Sequence, residues 1–422
     1  MLDIQKRISN LFYAILALPA TAMGFALSVQ ISALSWILVT QFGLDLHEMG
    51  FVWAAGPIAG LIAQPIVGFI SDKVWFFGGR RRPFILIGGT IAALMLLSLP
   101  NIGVINDSLS IDNLIAVAMI VALTLDLSIN VSFNPTRSII ADVTPDGNPR
   151  TKGYTWMQTI SGSFGVLAYA IGAVWGNYFL IYFGVGLVFL FTVVPSFFIE
   201  EPRTLTKSED DTEEDSSSKT DLTAFLKISF ANAFSWLGVQ TMFVFIIAFI
   251  TQKINITPDG ASAEMIEAID LKTGQIISIS FLILNAVGAL LPAFVLEPIS
   301  EKIGRVKTQM ISVAIMSVGY FAIAFFGFSE FSLYVLMGVA GIGWAAIVSL
   351  PFAIMSEVVD KSRMGFYMGM FNLSIVIPQL LVSLAVGLII VNSDNKNIVF
   401  LISGVSLAIS ALLWMIVKEK KA

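Results

Sequence analysis

The sequence predicts an all-α membrane protein with twelve transmembrane helices arranged as two pseudo-symmetric six-helix bundles. Three observations predict it: an apolar composition, twelve long hydrophobic runs, and loop motifs that recur half a chain apart. Of 422 residues, 56% are hydrophobic and only 13% charged, and the mean hydropathy is +0.86. A soluble chain of this length folds as two or three domains, each needing a polar surface. Too few charges are present for that, so lipid is the solvent for most of the surface.

A membrane helix takes about 20 predominantly apolar residues. Such runs occupy 11–40, 49–70, 84–100, 113–141, 153–177, 179–199, 223–251, 273–296, 308–328, 331–356, 365–391 and 398–417. The two-residue alternation of a membrane barrel is missing, and helices alone satisfy their backbone within each run. Gly56, Pro57, Pro65, Pro135, Pro292, Pro351 and Pro378 lie inside the runs, where neighbouring helices re-satisfy freed carbonyls. The first run continues too long for a cleavable signal peptide.

Basic residues orient the spans. With the N-terminus placed in the cytoplasm, 20 of the 24 Lys and Arg fall on the cytoplasmic side, three outside (Lys253, Lys272, Lys396), and Arg137 within a span. Both termini are therefore expected inside, in a multi-pass cytoplasmic (inner) membrane protein. Three domains are expected: 1–199, an acidic linker over 200–222, and 223–422. The linker holds six acids among the seven residues from Glu209 to Asp215, too polar to bury a core. The halves echo each other. GFISDKVWFFGGRRRP follows span 2 and LEPISEKIGRVKT follows span 8; RSIIADVTPDGNPRTKGY after span 4 is matched by PFAIMSEVVDKSRMGFY after span 10. Two six-span repeats on a polar linker form a transporter architecture, with its site near the midplane.

Composition excludes several chemistries. There is no cysteine and one histidine, His47, so thiol catalysis, Cys/His metal sites and His-based triads are ruled out. No enzyme activity, metal or cofactor is expected. A net charge of −5 argues against nucleic acid. His47 reads as a solvated loop residue.

One carboxylate stands out. Among 29 acids, Asp126 alone lies near the centre of a span, where inserting a charge costs at least ~2.5–3.5 kcal/mol. It is either structural, as an ion pair or a hydrogen-bonded carboxyl, or a functional group, and an intramembrane ionisable residue is a functional candidate by default. Asp126, Asn130, Asn134 and Arg137 follow at intervals of 4, 4 and 3, one polar stripe on a helix. Asp126 and Arg137 are about 16 Å apart along the axis, too far to pair within one helix. Burial in low dielectric favours the neutral form of a carboxyl, as proton carriage requires. Arg137 has three open readings: substrate anchor, gate, or a snorkelling side chain. A lone carboxyl suits one proton better than one sodium ion, which gathers several oxygen ligands.

One intramembrane acid and one base argue for a neutral polar solute. Amides suit hydroxyl-rich ligands: Gln30, Gln64, Asn130, Gln158, Asn232, Gln240, Asn285, Asn372 and Gln379 lie in the spans, with Trp36, Trp53, Trp156, Trp236 and Trp344 to cover apolar sugar faces. Each amide alone reads equally as a helix–helix hydrogen bond, and each Trp as belt or packing. In the span 2–3 loop, Asp72 opposite Arg80, Arg81 and Arg82, with Gly68 and Gly79, is expected to hold one cytoplasmic state closed through charge-assisted bonds.

The segment GFISDKVWFFGGRRRP resembles the loop signature of the major facilitator superfamily. GPIAGLIAQPIVGFISDKVWFFGGRRRPF, LDLSINVSFNPTRSIIADVTPDGNPRTKGYTWMQ and GIGWAAIVSLPFAIMSEVVDKSRMGFYMGMFNLSIVIPQ are similar to the sucrose:proton symporters and their bacterial relatives, in the glycoside–pentoside–hexuronide:cation group. The resemblance implies that Asp126 is the protonatable aspartate, placed before Asn130 and Arg137. It further implies the major facilitator fold and proton-coupled symport of a neutral glucoside, a disaccharide such as sucrose or maltose, by alternating access. The expected partners are sugar, proton and lipid bilayer, and the expected state is a monomer. A uniporter or exporter of the same fold, and a sugar sensor without net transport, are the rival readings.

Overall fold

The computed structural model describes residues 8–40, 60–61, 63–109, 113–203 and 220–419. His47, Trp53, Gly56, Pro57, the side chain of Trp36 and linker residues 204–219 lie outside what is described. Apart from one isolated bridge, Phe76 with Gly79, the regular structure among the described residues is helical, joined by turns and short loops.

The helices are α1 (Asn10–Thr40), α2 (63–73), α3 (Arg82–Ser98), α4 (Ile102–Leu109), α5 (Leu114–Val143) and α6 (Asn148–Val193). The second half holds α7 (Leu222–Lys253), α8 (Ala263–Leu291), α9 (Glu297–Ile303), α10 (Arg305–Phe326), α11 (Glu330–Ile347), α12 (Leu350–Ser356), α13 (Met364–Leu381), α14 (Gly387–Val391) and α15 (Ile398–Trp414). Each of the twelve predicted spans coincides with one or more of them, span 2 only over its described part. Spans 5 and 6 run together in α6, broken only at Gly176, whose φ of 83° lies in the left-handed region that glycine occupies without strain. Span 8 begins ten residues earlier than hydropathy indicates, at Ala263, because Ser262 caps the helix by accepting from the Met265 N–H. Spans 8 and 11 each contain a π-helical turn, Pro292–Leu296 and Val382–Val386, where the hydrogen-bond ladder slips by one residue.

The helices have no hydrophilic face because lipid and core are both apolar. On α5, Val117, Val121, Leu125 and Ile129 are buried while Met119, Ile120, Leu123 and Leu127 are exposed. Size and polarity separate the two sides instead: Asp126, Ser128, Ser132, Asn134 and Ser138 all point inward.

The chain divides into two compact units. The first is Met1–Thr220 together with Val359–Asn372; the second is Asp221–Val358 with Leu373–Lys421. Each has its own core, one built around Met23, Phe25, Leu96, Val121 and Leu180, the other around Met242, Phe249, Met316, Tyr320 and Phe400. The segment 359–372 joins the first unit through the start of α13. The Asp72 carboxylate accepts from the Gly365 and Phe366 N–H groups at 2.9 and 2.8 Å.

Candidate functional site

The polar stripe of α5 meets side chains of α1 and α2. Asp126 is buried, and Gln30 of α1 donates its Nε2 to Asp126 Oδ1 at 2.9 Å. Among the described residues Asp126 makes no ion pair. Asn130 donates to the Asp126 backbone carbonyl at 2.8 Å and accepts from Gln64 Nε2 at 2.7 Å. Asn134 donates to the Gln64 carbonyl at 2.5 Å. Gln30, Gln64, Asp126, Asn130 and Asn134 thus form one network across three helices. Three acceptors in it, Gln30 Oε1, Gln64 Oε1 and Asn134 Oδ1, are buried with no partner among the described residues. Further along α5, the Arg137 guanidinium lies 5.1 Å from the Phe133 ring and the Arg137 carbonyl accepts from Tyr154 Oη.

The second unit carries a separate polar–aromatic group. On α7, Asn232 donates to Ser374 Oγ at 2.8 Å, and its Oδ1 has no partner among the described residues. One turn along, Trp236 has a buried Nε1 with no such partner. Its ring meets Trp344 edge-on at 5.6 Å, and Trp344 meets Phe243 in the same way at 5.3 Å. Trp344 Nε1 donates to Asn285 Oδ1 at 3.3 Å, while Gly288 leaves no room for a Cβ beside the indole. Orphaned donor and acceptor atoms beside aromatic rings suit a hydroxylated ring. Gln158, Gln240 and Gln379 are half-buried and Asn372 is buried; none of them bonds to Asp126.

At the span ends the three arginines divide their partners. Arg81, fully buried, holds Asp72 at 2.6 Å, Asp142 at 2.9 Å and Ser71 Oγ at 2.6 Å. Arg80 reaches Asp142 at 3.4 Å, and Arg82 donates to the Ser196 carbonyl. Among the described residues Asp72 therefore pairs with Arg81 and not with Arg80 or Arg82. Gly68 and Gly365 approach so closely that a Cβ on Gly68 would overlap the Gly365 carbonyl. Burial opposes the charge of Arg81, but the Asp142 and Asp72 carboxylates overcome it and raise its pKa. For Asp72 burial prevails over Arg81 and the two backbone N–H groups, and its pKa is raised.

Two acids in this cluster escape sequence reasoning. Asp142 closes α5, and Glu201 accepts from the backbone N–H groups of Arg80, Arg81 and Arg82 at 2.8, 2.8 and 2.7 Å. Burial raises the Glu201 pKa against those three donors. The second unit repeats the device: Glu419 accepts from the Arg305 N–H and Nε at 2.8 and 3.1 Å, and Arg305 pairs with Glu357. Glu357 occupies in SEVVDKSR the place of Asp142 in ADVTPDG. The available signal was an acid shortly after the sixth and twelfth spans.

Comparison with known proteins follows the same lines. The Major Facilitator Superfamily model matches residues 16–266 and 228–422. The chain is similar to the sucrose transport protein SUT2 of Oryza sativa subsp. indica, 26% identical over 87% of this chain and 84% of that protein. It is similar to the sucrose transport protein SUC4 of Arabidopsis thaliana, 24% identical over 91% and 85%. The general alpha-glucoside permease of Schizosaccharomyces pombe is 33% identical over 31% of this chain and 25% of the permease. Two solved transporters share the fold. FucP in its outward conformation gives a TM-score of 0.73 at 12% identity, covering 98% of this chain and all 100% of FucP. The proton:xylose symporter XylE gives 0.69 at 15%, covering 97% and 96%. This chain, with its twelve helices in two repeats, is a multi-pass membrane protein that belongs to the major facilitator superfamily.

Proposed function

We propose that the protein is a proton-coupled symporter of a neutral glucoside, a disaccharide such as sucrose or maltose, residing in the cytoplasmic membrane with both termini inside. The observation that carries the reading is Asp126, a buried mid-span carboxyl bonded to a neutral amide and to no cation among the described residues. Gln30 orients that carboxyl and leaves its charge uncompensated, so loading and release of a proton change the charge of the site. The likeness to sucrose transport proteins and to a general alpha-glucoside permease supports the substrate class. So do the orphaned amides and indole described above.

In this reading Asp126 takes a proton from the outer side, Gln30, Gln64, Asn130 and Asn134 meet sugar hydroxyls, and the carboxyl releases the proton inside after the protein changes the side to which it opens. Arg137 serves as a second polar contact for substrate; Trp236, Trp344 and Asn232 cover and bond the ring, with Gln158, Asn372 and Gln379 as further contacts. Gly68, Asp72, Arg80, Arg81 and Arg82 form the gate. An inward proton gains ~2.3 kcal/mol per 100 mV, enough for roughly fiftyfold accumulation.

Proteoliposomes loaded with buffer and exposed to a radiolabelled disaccharide panel, with and without an inward proton gradient, test the proposal. Gradient-driven accumulation is expected for the native chain. Asp126→Asn is expected to exchange sugar without accumulating it. Undiminished proton-driven accumulation by that variant would overturn the assignment.

A further inference from the structure

Between α2 and α3 the chain turns in a two-residue hairpin, closed by reciprocal bonds between Phe76 and Gly79 at 3.2 Å in both directions. Both central residues are left-handed: Gly78 at φ 81° and Phe77 at φ 49°. Such a turn favours Asn-Gly, and a bulky side chain in its first central place is strained. The strain puts the Phe77 ring at the tip, 70% exposed, with Trp75 and Phe76 also exposed beside it.

A second exposed aromatic pair adjoins it. Arg82 links the two segments: its Nη1 lies 3.3 Å from where a Cβ on Gly78 would sit, and its Nη2 donates to the Ser196 carbonyl. The next residue, Phe197, is 70% exposed and Phe198 follows it. Glu201 ties the base of the hairpin to this second segment through the three N–H groups of Arg80 to Arg82. The aromatic tip is thus held on a braced support.

We propose that the hairpin 75–79, with the turn at 195–198, is an interfacial anchor that inserts Phe77 and Phe197 into the headgroup–acyl boundary of the bilayer. Two observations choose lipid as the occupant. The patch begins where membrane helices end, and those helices carry exposed apolar side chains on the way to it, Phe69 and Ile70 on α2, Ile87 and Leu94 on α3, Phe189 and Leu190 on α6. Cations also flank it: Lys73 Nζ sits 3.8 Å from the Phe69 ring centroid and the Arg82 guanidinium lies at the tip. Aromatic rings beside Lys and Arg at a span end are the composition of the membrane–water boundary.

The chain has no cysteine, so single labels report without background. Spin labels at Phe77→Cys and Phe197→Cys, in vesicles of phosphatidylcholine with or without phosphatidylglycerol, are compared by power saturation with oxygen and a water-soluble nickel chelate. Leu94→Cys on α3 is the lipid reference, and Asp259→Cys in the loop before α8 the aqueous one. Labels at 77 and 197 are expected to collide several-fold more with oxygen than with the chelate, at a depth between the references. Chelate accessibility at 77 equal to that at 259 overturns the proposal, since the patch would then face water and be free for a protein. If Phe77→Cys does not fold, Trp75→Cys reads the same face against the same references.

Discussion

Glu201 offers the sharpest test of how the first unit is held together. Its Oε2 accepts from the Arg80 and Arg81 N–H groups and its Oε1 from Arg82, in a place where the residue is 9% exposed. Hydrogen bonds to a charged group are each worth about 1.5–3 kcal/mol, and a buried donor left without an acceptor costs about 1–3 kcal/mol, so three backbone N–H groups in the lower half of that range cost about 3–5 kcal/mol together. Glu201→Ala exposes three donors at the entry to α3 to that penalty. At about 2–4 °C per kcal/mol for a unit of this size, its unfolding midpoint should fall by roughly 6–20 °C. Glu201→Gln should fall less: one amide oxygen can still serve two N–H groups, while its NH2 confronts the third. Fluorescence-detected thermal unfolding in detergent, on chains purified alike, measures both. A shift under about 2 °C for Glu201→Ala would refute the reasoning, because water or a neighbour would then be replacing the carboxylate at no cost.

The same carboxyl sets a pH trend. Burial raises the pKa of Glu201 from 4.5 and of Asp72 from 3.8, so above those values the folded state binds more protons than the unfolded one and their contribution to stability is lost as pH rises through the raised values. The midpoint of Glu201→Gln, followed from acid to neutral pH, should decline less steeply than that of the native chain; equal slopes would contradict this. In the second unit, Gly288→Ala should displace the Trp344 indole from Asn285 Oδ1 and from the edge of Trp236. A changed tryptophan emission with a weaker apparent sugar affinity is expected, and an unaltered spectrum would show that the indole has room.

Most of the architecture was legible in the linear chain because a bilayer imposes one rule on every span. About 20 apolar residues must close their own backbone hydrogen bonds, so length and hydropathy identify helices without knowledge of their neighbours. Boundaries are less legible. Gly176 marks the break between two spans only through its non-helical φ and ψ, and Ser262 starts α8 in a segment too polar for a hydropathy reading. Asp126 could be singled out by inventory, as the one acid far from any span end.

What surrounds Asp126 could not be read that way. Gln30 lies 96 positions earlier, and Gln64 reaches Asn130 across 66; any of nine span amides was an equal candidate, since an amide's chemistry carries no address. The arginines at the start of α3 show the same limit. Their charges mark a loop, yet the choice of Asp72 and Asp142 for Arg81, and of Glu201 for three backbone donors, depends on which helix ends converge. Composition and span length determined solvent and helix number, because each is a property of a segment and the oil around it, and the recurring loop motifs determined the repeat. The pairing of buried polar groups belonged to the tertiary structure, because such bonds form between segments that only folding brings within 3 Å.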